Sequence, residues 1–196
     1  MKSAFKLITY SAFFLIALFT FSSCQNSNKD SSKDMAEDQN EKKFDTKMEE
    51  HNAQLMVDLV SGQYHEIRLS RYAMQKTTNS EVQSIAGMMI TDHSNFLEKL
   101  KSLATQKSIS LPNEDSTEVN NKIDSWKDKK SMDFDKAWTD EMISKHKATI
   151  DKIQNAIDDK DTDPDIKALL NNTLPTVRMH LDKLTACKDK LDQAKS

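Results

Sequence analysis

Four residues of metal-binding type, Glu66, His93, His146 and His180, stand at positions where the surrounding pattern calls for apolar side chains. Steps of three and four run Leu55, Leu59, Gly62, Glu66, Leu69, Ala73, then Val82, Ala86, Met89, His93, Phe96, Leu100, Leu103. Two further stripes run Trp138, Met142, His146, Thr149, Ile153, Ile157 and Ile166, Leu170, Thr173, Val177, His180, Leu184, Cys187, Leu191. This spacing marks helices that bury one face, and solvated charge does not belong on a buried face. Three imidazoles and a carboxylate converging on one point can bind one transition metal ion, zinc or iron among others, with geometry deciding which. Asp92 and His65 each neighbour a ligand candidate, about 100° around the helix, and can orient it or add to the set. At about 1.5 Å rise per residue, all four candidates fall near the middle of their helices.

The same residues also fit a core of mutually hydrogen-bonded polar groups in which Glu66 and Asp92 satisfy the histidines. Oxygen-activating di-iron chemistry is a poor fit. It needs paired Glu-x-x-His motifs, and Ile90, Ile143 and Val177 stand three residues before the histidines. The chain offers no nucleophile motif, no glycine-rich phosphate loop and no paired catalytic carboxylates, so no catalytic residue is assigned. A non-enzymatic binding or structural module is the reading these absences favour; the alternative is a metal-dependent enzyme of unknown reaction. Cys187, on the fourth stripe, reads as a small buried hydrophobe.

The elements that must hold these residues are helices. Two glycines and three prolines in 196 residues, with no alternating β-branched runs, leave little from which to build hairpins. The expected class is all-α. Asn79 or Ser80 with Glu81 suits the start of the second helix, and Asp163-Pro164 the start of the fourth. Pro175 should kink the fourth helix near Asn171. Short turns near Thr78 and Asp161 make two antiparallel pairs. Between them about two dozen residues, Ser108 to Ser131, with a short helix through Val119, Ile123 and Trp126, form a connection long enough to run the length of a bundle, as ferritin-like folds require. Gly62 and Gly87 fall inside helices, where each costs about 1 kcal/mol against alanine; close helix approach and room for a ligand are the two explanations.

The chain begins with Lys2 and Lys6, an uncharged run from Leu7 to Phe21, then Ser22, Ser23 and Cys24. This is the layout of a secretory signal over residues 1–23, too short in its apolar part to span a membrane comfortably. Phe21-Ser22-Ser23-Cys24 resembles a bacterial lipobox, departing from it in having Phe21 where Leu is usual. The resemblance implies acylation of Cys24 (a palmitate-type lipid anchor), membrane attachment through that anchor and, from Gln25, location at the outer membrane facing the periplasm or cell surface. Residues 24–43, nearly free of apolar side chains, read as a flexible polar linker, and residues 44–196 as one domain. Loss of Lys2 and Lys6 with the leader leaves 26 basic against 31 acidic residues, which argues against nucleic acid as a partner. With Cys24 acylated, Cys187 has no cysteine to pair with.

The stretch GQYHEIRLSRYAMQKTTNSEVQSIAGMMITDHSNFLEKLKSLATQKSISLP is similar to the amino-terminal half of a bacterial family catalogued as domain of unknown function 4142. FDKAWTDEMISKHKATIDKIQNAI and TLPTVRMHLDKL resemble the remainder. The closest correspondences are Met89 to His93, Leu111-Pro112, Phe134-Asp135, His146, Leu174-Pro175 and His180-Leu181. The resemblance implies an exported or lipid-anchored protein, often labelled a predicted outer membrane protein, with a ferritin-like antiparallel four-helix bundle and a long crossover between the second and third helices. It implies no activity.

Overall fold

The computed structural model describes residues 31–114 and 117–194. The expected signal and Cys24 lie outside the described residues. Six helices and no strands occur among them: α1 (Ser32–Glu41), α2 (Lys47–Lys76), α3 (Ser80–Gln106), α4 (Thr117–Trp126), α5 (Ser131–Asp158) and α6 (Pro164–Gln193). The all-α expectation is met. None of these helices is long and apolar enough to cross a membrane.

Three of the four long helices begin where a side chain takes up their first free N–H groups. The Asn79 side chain accepts from the Glu81 and Val82 amides, Asp163 from Asp165 and Ile166, and Thr46 from Glu49. α3 ends in a six-to-one turn. The Ile109 amide reaches the Ala104 carbonyl at 2.9 Å and the Ser108 amide the Thr105 carbonyl at 3.2 Å, with Ser108 at φ 57° in the left-handed region glycine usually fills. α6 runs without interruption through Pro175.

α2 packs closely on α3 and α5 on α6; α3 meets α6, and the α2–α5 seam is the loosest of the four. The core divides into two apolar clusters. One gathers Leu55, Leu59 and Val60 of α2 with Phe96 and Leu100 of α3, Ile153 of α5 and Leu170 and Val177 of α6. The other gathers Leu69 and Ala73, Val82 and Met89, Phe134, Trp138 and Met142, and Leu184 and Leu191. The amino-terminal halves of α2 and α6 thus share one cluster with the carboxy-terminal halves of α3 and α5. Each helix therefore runs opposite to both of its neighbours. The connection between α3 and α5 travels from one cluster to the other, since Ile109 and Leu111 pack against the first and Val119, Ile123 and Trp126 against the second.

Two expectations are corrected. Residues 32–41, assigned to the flexible linker by composition, form α1. Ser31 and Asp34 close a capping box, Ala36 is buried, and the Asn40 amide exchanges two hydrogen bonds with the Ser110 backbone at 2.8 and 2.7 Å. Polar anchors hold this helix, and an apolar-content argument does not register them. Close helix approach does not explain the glycines either. A Cβ on Gly62 would meet nothing within 4 Å, and one on Gly87 would make an ordinary 3.6 Å contact with Met74 Sδ.

Candidate metal centre

The polar positions sit at the junction of the two apolar clusters. On α3, His93 lies between Met89 of one and Phe96 of the other; on α5, His146 lies between Met142 and Ile153; on α6, His180 lies between Val177 and Leu184. On α2, Glu66 lies beside the boundary between Ile67 and Leu69. All four are at most 4 % exposed. One nitrogen from each histidine lies within 4.8 Å of the others, and the ring centroids form a near-equilateral triangle with sides of 5.2, 5.4 and 5.5 Å.

The tautomers follow from what each ring's other nitrogen touches. His146 Nδ1 is 2.8 Å from the Met142 carbonyl, which can only accept, so Nδ1 carries the hydrogen. His180 Nε2–H donates to the Asp92 carboxylate at 2.9 Å. The Gln63 side-chain nitrogen faces the Leu59 carbonyl at 3.3 Å, which turns its oxygen to His93, where Nδ1–H donates at 2.7 Å. In neutral rings the remaining nitrogens, His93 Nε2, His146 Nε2 and His180 Nδ1, bear lone pairs. His146 Nε2 and His180 Nδ1 are 3.4 Å apart. Two nitrogens bound tetrahedrally at 2.0–2.1 Å would be separated by about 3.3 Å.

Glu66 completes the group. Its Oε2 is 3.2 Å from His93 Nε2 and 3.5 Å from His146 Nδ1. Apart from these contacts, Glu66 Oε2 and His93 Nε2 are buried with no protein hydrogen-bond partner. Such atoms are costly to leave unsatisfied. Burial pushes the Glu66 carboxyl up to about 8, opposed by the Lys145 ammonium. Burial also holds His93 well below its usual range, helped by His146 and His180. His146 is lowered to about 4 by burial, with its bond to the Met142 carbonyl opposing and His180 assisting. His93 and His146 are therefore neutral at pH 7, the state in which imidazole binds a metal.

The structure brings Glu66, His93, His146, His180 and Asp92 together. His65 it does not: that ring turns toward α4, with Nδ1 3.9 Å from the exposed Glu118 carboxylate. One residue in contact with the group, Gln63, was not singled out from the sequence. It lies three positions before Glu66, a spacing that puts both on one helix face. Cys187 is buried, and burial pushes its thiol up to about 11, which keeps it an unreactive apolar side chain.

Geometry and folding together define an all-helical protein whose core contains three histidines able to hold a metal ion. Residues 37–187 match the family described as domain of unknown function (DUF4142), and the chain belongs to that family. No curated protein and no solved structure matches it.

Proposed function

We propose that this chain is a lipid-anchored cell-envelope protein whose ferritin-like four-helix bundle binds one transition metal ion, such as zinc or iron, through His93, His146 and His180, with Glu66 as a fourth ligand. It works as a binding module and not as an enzyme. The observation that carries the metal reading is the convergence of three buried histidines, one nitrogen of each within 4.8 Å of the others and two of them 3.4 Å apart, with Glu66 Oε2 3.2 Å from His93 Nε2. A purely structural polar core would satisfy its members with one another. Here each histidine is satisfied on its outer nitrogen, by Gln63, the Met142 carbonyl or Asp92, and turns its inner one toward the group, where His146 Nε2 and His180 Nδ1 face each other at 3.4 Å. Gln63 and Asp92 orient the rings, the role outer hydrogen-bond partners play in metal sites. A bound dication would replace the Glu66 proton and give the carboxylate a counter-charge.

The bundle assignment rests on four long helices with antiparallel neighbours and a connection spanning their length. The envelope assignment rests on Lys2, Lys6, the run from Leu7 to Phe21 and Cys24; acylation there gives a membrane anchor with the helical domain on the periplasmic or outer surface.

Metal-free protein titrated with zinc, iron, copper and manganese tests the centre. One equivalent should bind tightly and survive gel filtration, and His146→Ala should lose it while keeping its helix content by circular dichroism. No stoichiometric uptake of any of the four, or uptake unchanged in His93→Ala and His146→Ala, returns the domain to a scaffold.

A further inference from the structure

A groove of about 180 Å³ opens over Glu66 between α2 and α5. Leu59, Gly62, Gln63 and Glu66 form one wall, with Lys145 and Thr149 on the other. Glu66, only 2 % exposed, lies at its floor and also contacts His93 and His146, so the groove leads to the ligand set and not to unrelated core. It exists for two reasons. The α2–α5 seam is the loosest around the core, and Gly62, one turn before Glu66, contributes no side chain where a Cβ would meet nothing within 4 Å.

The opening carries two lysines, Lys145 and Lys152, against Asp58 and Glu66. Lys152 is committed to Asp58, which Lys33 also holds. Among the described residues the Lys145 ammonium has one ion-pair contact, at 3.7 Å to Glu141 on its own helix, and it lines the same groove as Glu66. An ion held by three neutral imidazoles and one carboxylate would add a net charge of about +1 at the floor, since a dication exceeds its ligands by that much.

We propose that the centre is open toward this groove and takes a small exogenous anion, which enters over Gly62, adds to the ion as a fifth ligand beside the three histidines and Glu66, and is held by the Lys145 ammonium. This rests on the metal reading above. An open position of this kind separates a centre that exchanges ligands from a closed structural one. The glycine is the residue that keeps it open. Any longer side chain at that position projects into the groove, while the helix itself would accept alanine or leucine more readily than glycine.

Cobalt(II) serves as the probe metal and azide and formate as the probe anions. Full-length protein loaded with cobalt should show visible ligand-field bands, and each anion should shift them along a saturating single-site curve. Gly62→Leu should retain the anion-free cobalt spectrum and lose the shift, whereas Gly62→Ala should keep both. Lys145→Met should keep the shift with a several-fold weaker anion affinity. Ala148→Leu, on the facing wall, should also block the anion, so the result does not depend on one variant folding. Cobalt bands that ignore both anions in the unaltered protein, or an undiminished shift in both leucine variants, overturn the open site while leaving the metal centre standing. Equal anion affinity in Lys145→Met removes Lys145 from it. Failure to take up cobalt at all overturns the metal centre and the anion site together.

Discussion

Glu66 and the histidines around it disagree about pH in a way that makes the metal-free protein diagnostic. Between pH 4.5 and about 8 the unfolded chain releases the Glu66 proton while the folded chain keeps it, so Glu66 lowers stability as pH rises. Between about pH 4 and 6.5 the unfolded chain protonates His146 while the folded chain does not; His93 acts in the same sense. Two histidines outweigh one carboxylate below pH 6.5, and the carboxylate acts alone above it. Each mismatched proton is worth about 1.4 kcal/mol per pH unit. Urea unfolding of the metal-free protein should therefore give maximum stability near pH 6.5 and a decline toward pH 8. Glu66→Gln, which cannot ionise, should flatten that decline; a decline of equal slope in the variant would mean that another group causes it. Metal uptake at pH 7 should release close to one proton for the same reason.

At the scale of the helix, two positions carry residues that local physics does not favour. Ser108 holds φ 57° at the end of α3, where a Cβ costs roughly 1 kcal/mol and glycine costs nothing comparable. Gly62 leaves the middle of α2 without a side chain although space is open around it. Ser108→Gly and Gly62→Ala should each raise unfolding stability by about 0.5–1 kcal/mol, read from the denaturant midpoint at constant slope. The two gains have different meanings. Ser108 terminates a helix and contributes nothing to the centre, whereas Gly62 is retained at a stability cost beside Glu66, as expected of a position kept for access. If Gly62→Ala were destabilising, the space above α2 would have to be filled by something the residue count does not supply.

At the scale of the whole molecule, the candidate centre draws one polar side chain from each long helix and lies where the two apolar clusters meet. An ion there would bind the folded state only and stabilise it in proportion to the logarithm of its concentration over the dissociation constant. α1 stands outside that arrangement. It is attached by Ala36, by Asn40 to Ser110 and by Lys43 to the Ser108 carbonyl. Asn40→Ala removes both bonds to the Ser110 backbone, worth about 1–3 kcal/mol locally. Amide hydrogen exchange in α1 should accelerate by roughly tenfold or more while the cores of α2, α3, α5 and α6 keep their protection. Faster exchange throughout would instead make α1 an integral part of the cooperative unit.

Much of this was legible from residue order because helix periodicity is local. Stripes at three and four spacing located all four long helices, Asn79 and Asp163 marked two of their starts, and Val119, Ile123 and Trp126 marked α4. The same periodicity put Glu66, His93, His146 and His180 on buried faces, since burial of one helix face is written into the repeat itself. What only the tertiary structure decided depends on atoms distant in sequence. Which nitrogen of each histidine faces inward is set by Gln63, Met142 and Asp92. His65, adjacent to Glu66 in the chain, faces α4 instead, because a step of about 100° around the helix leads to a different neighbour. α1 escaped a composition argument because its hold on residue 110 lies 70 positions away. The space above Gly62 is likewise a property of the seam between α2 and α5, which no single helix encodes.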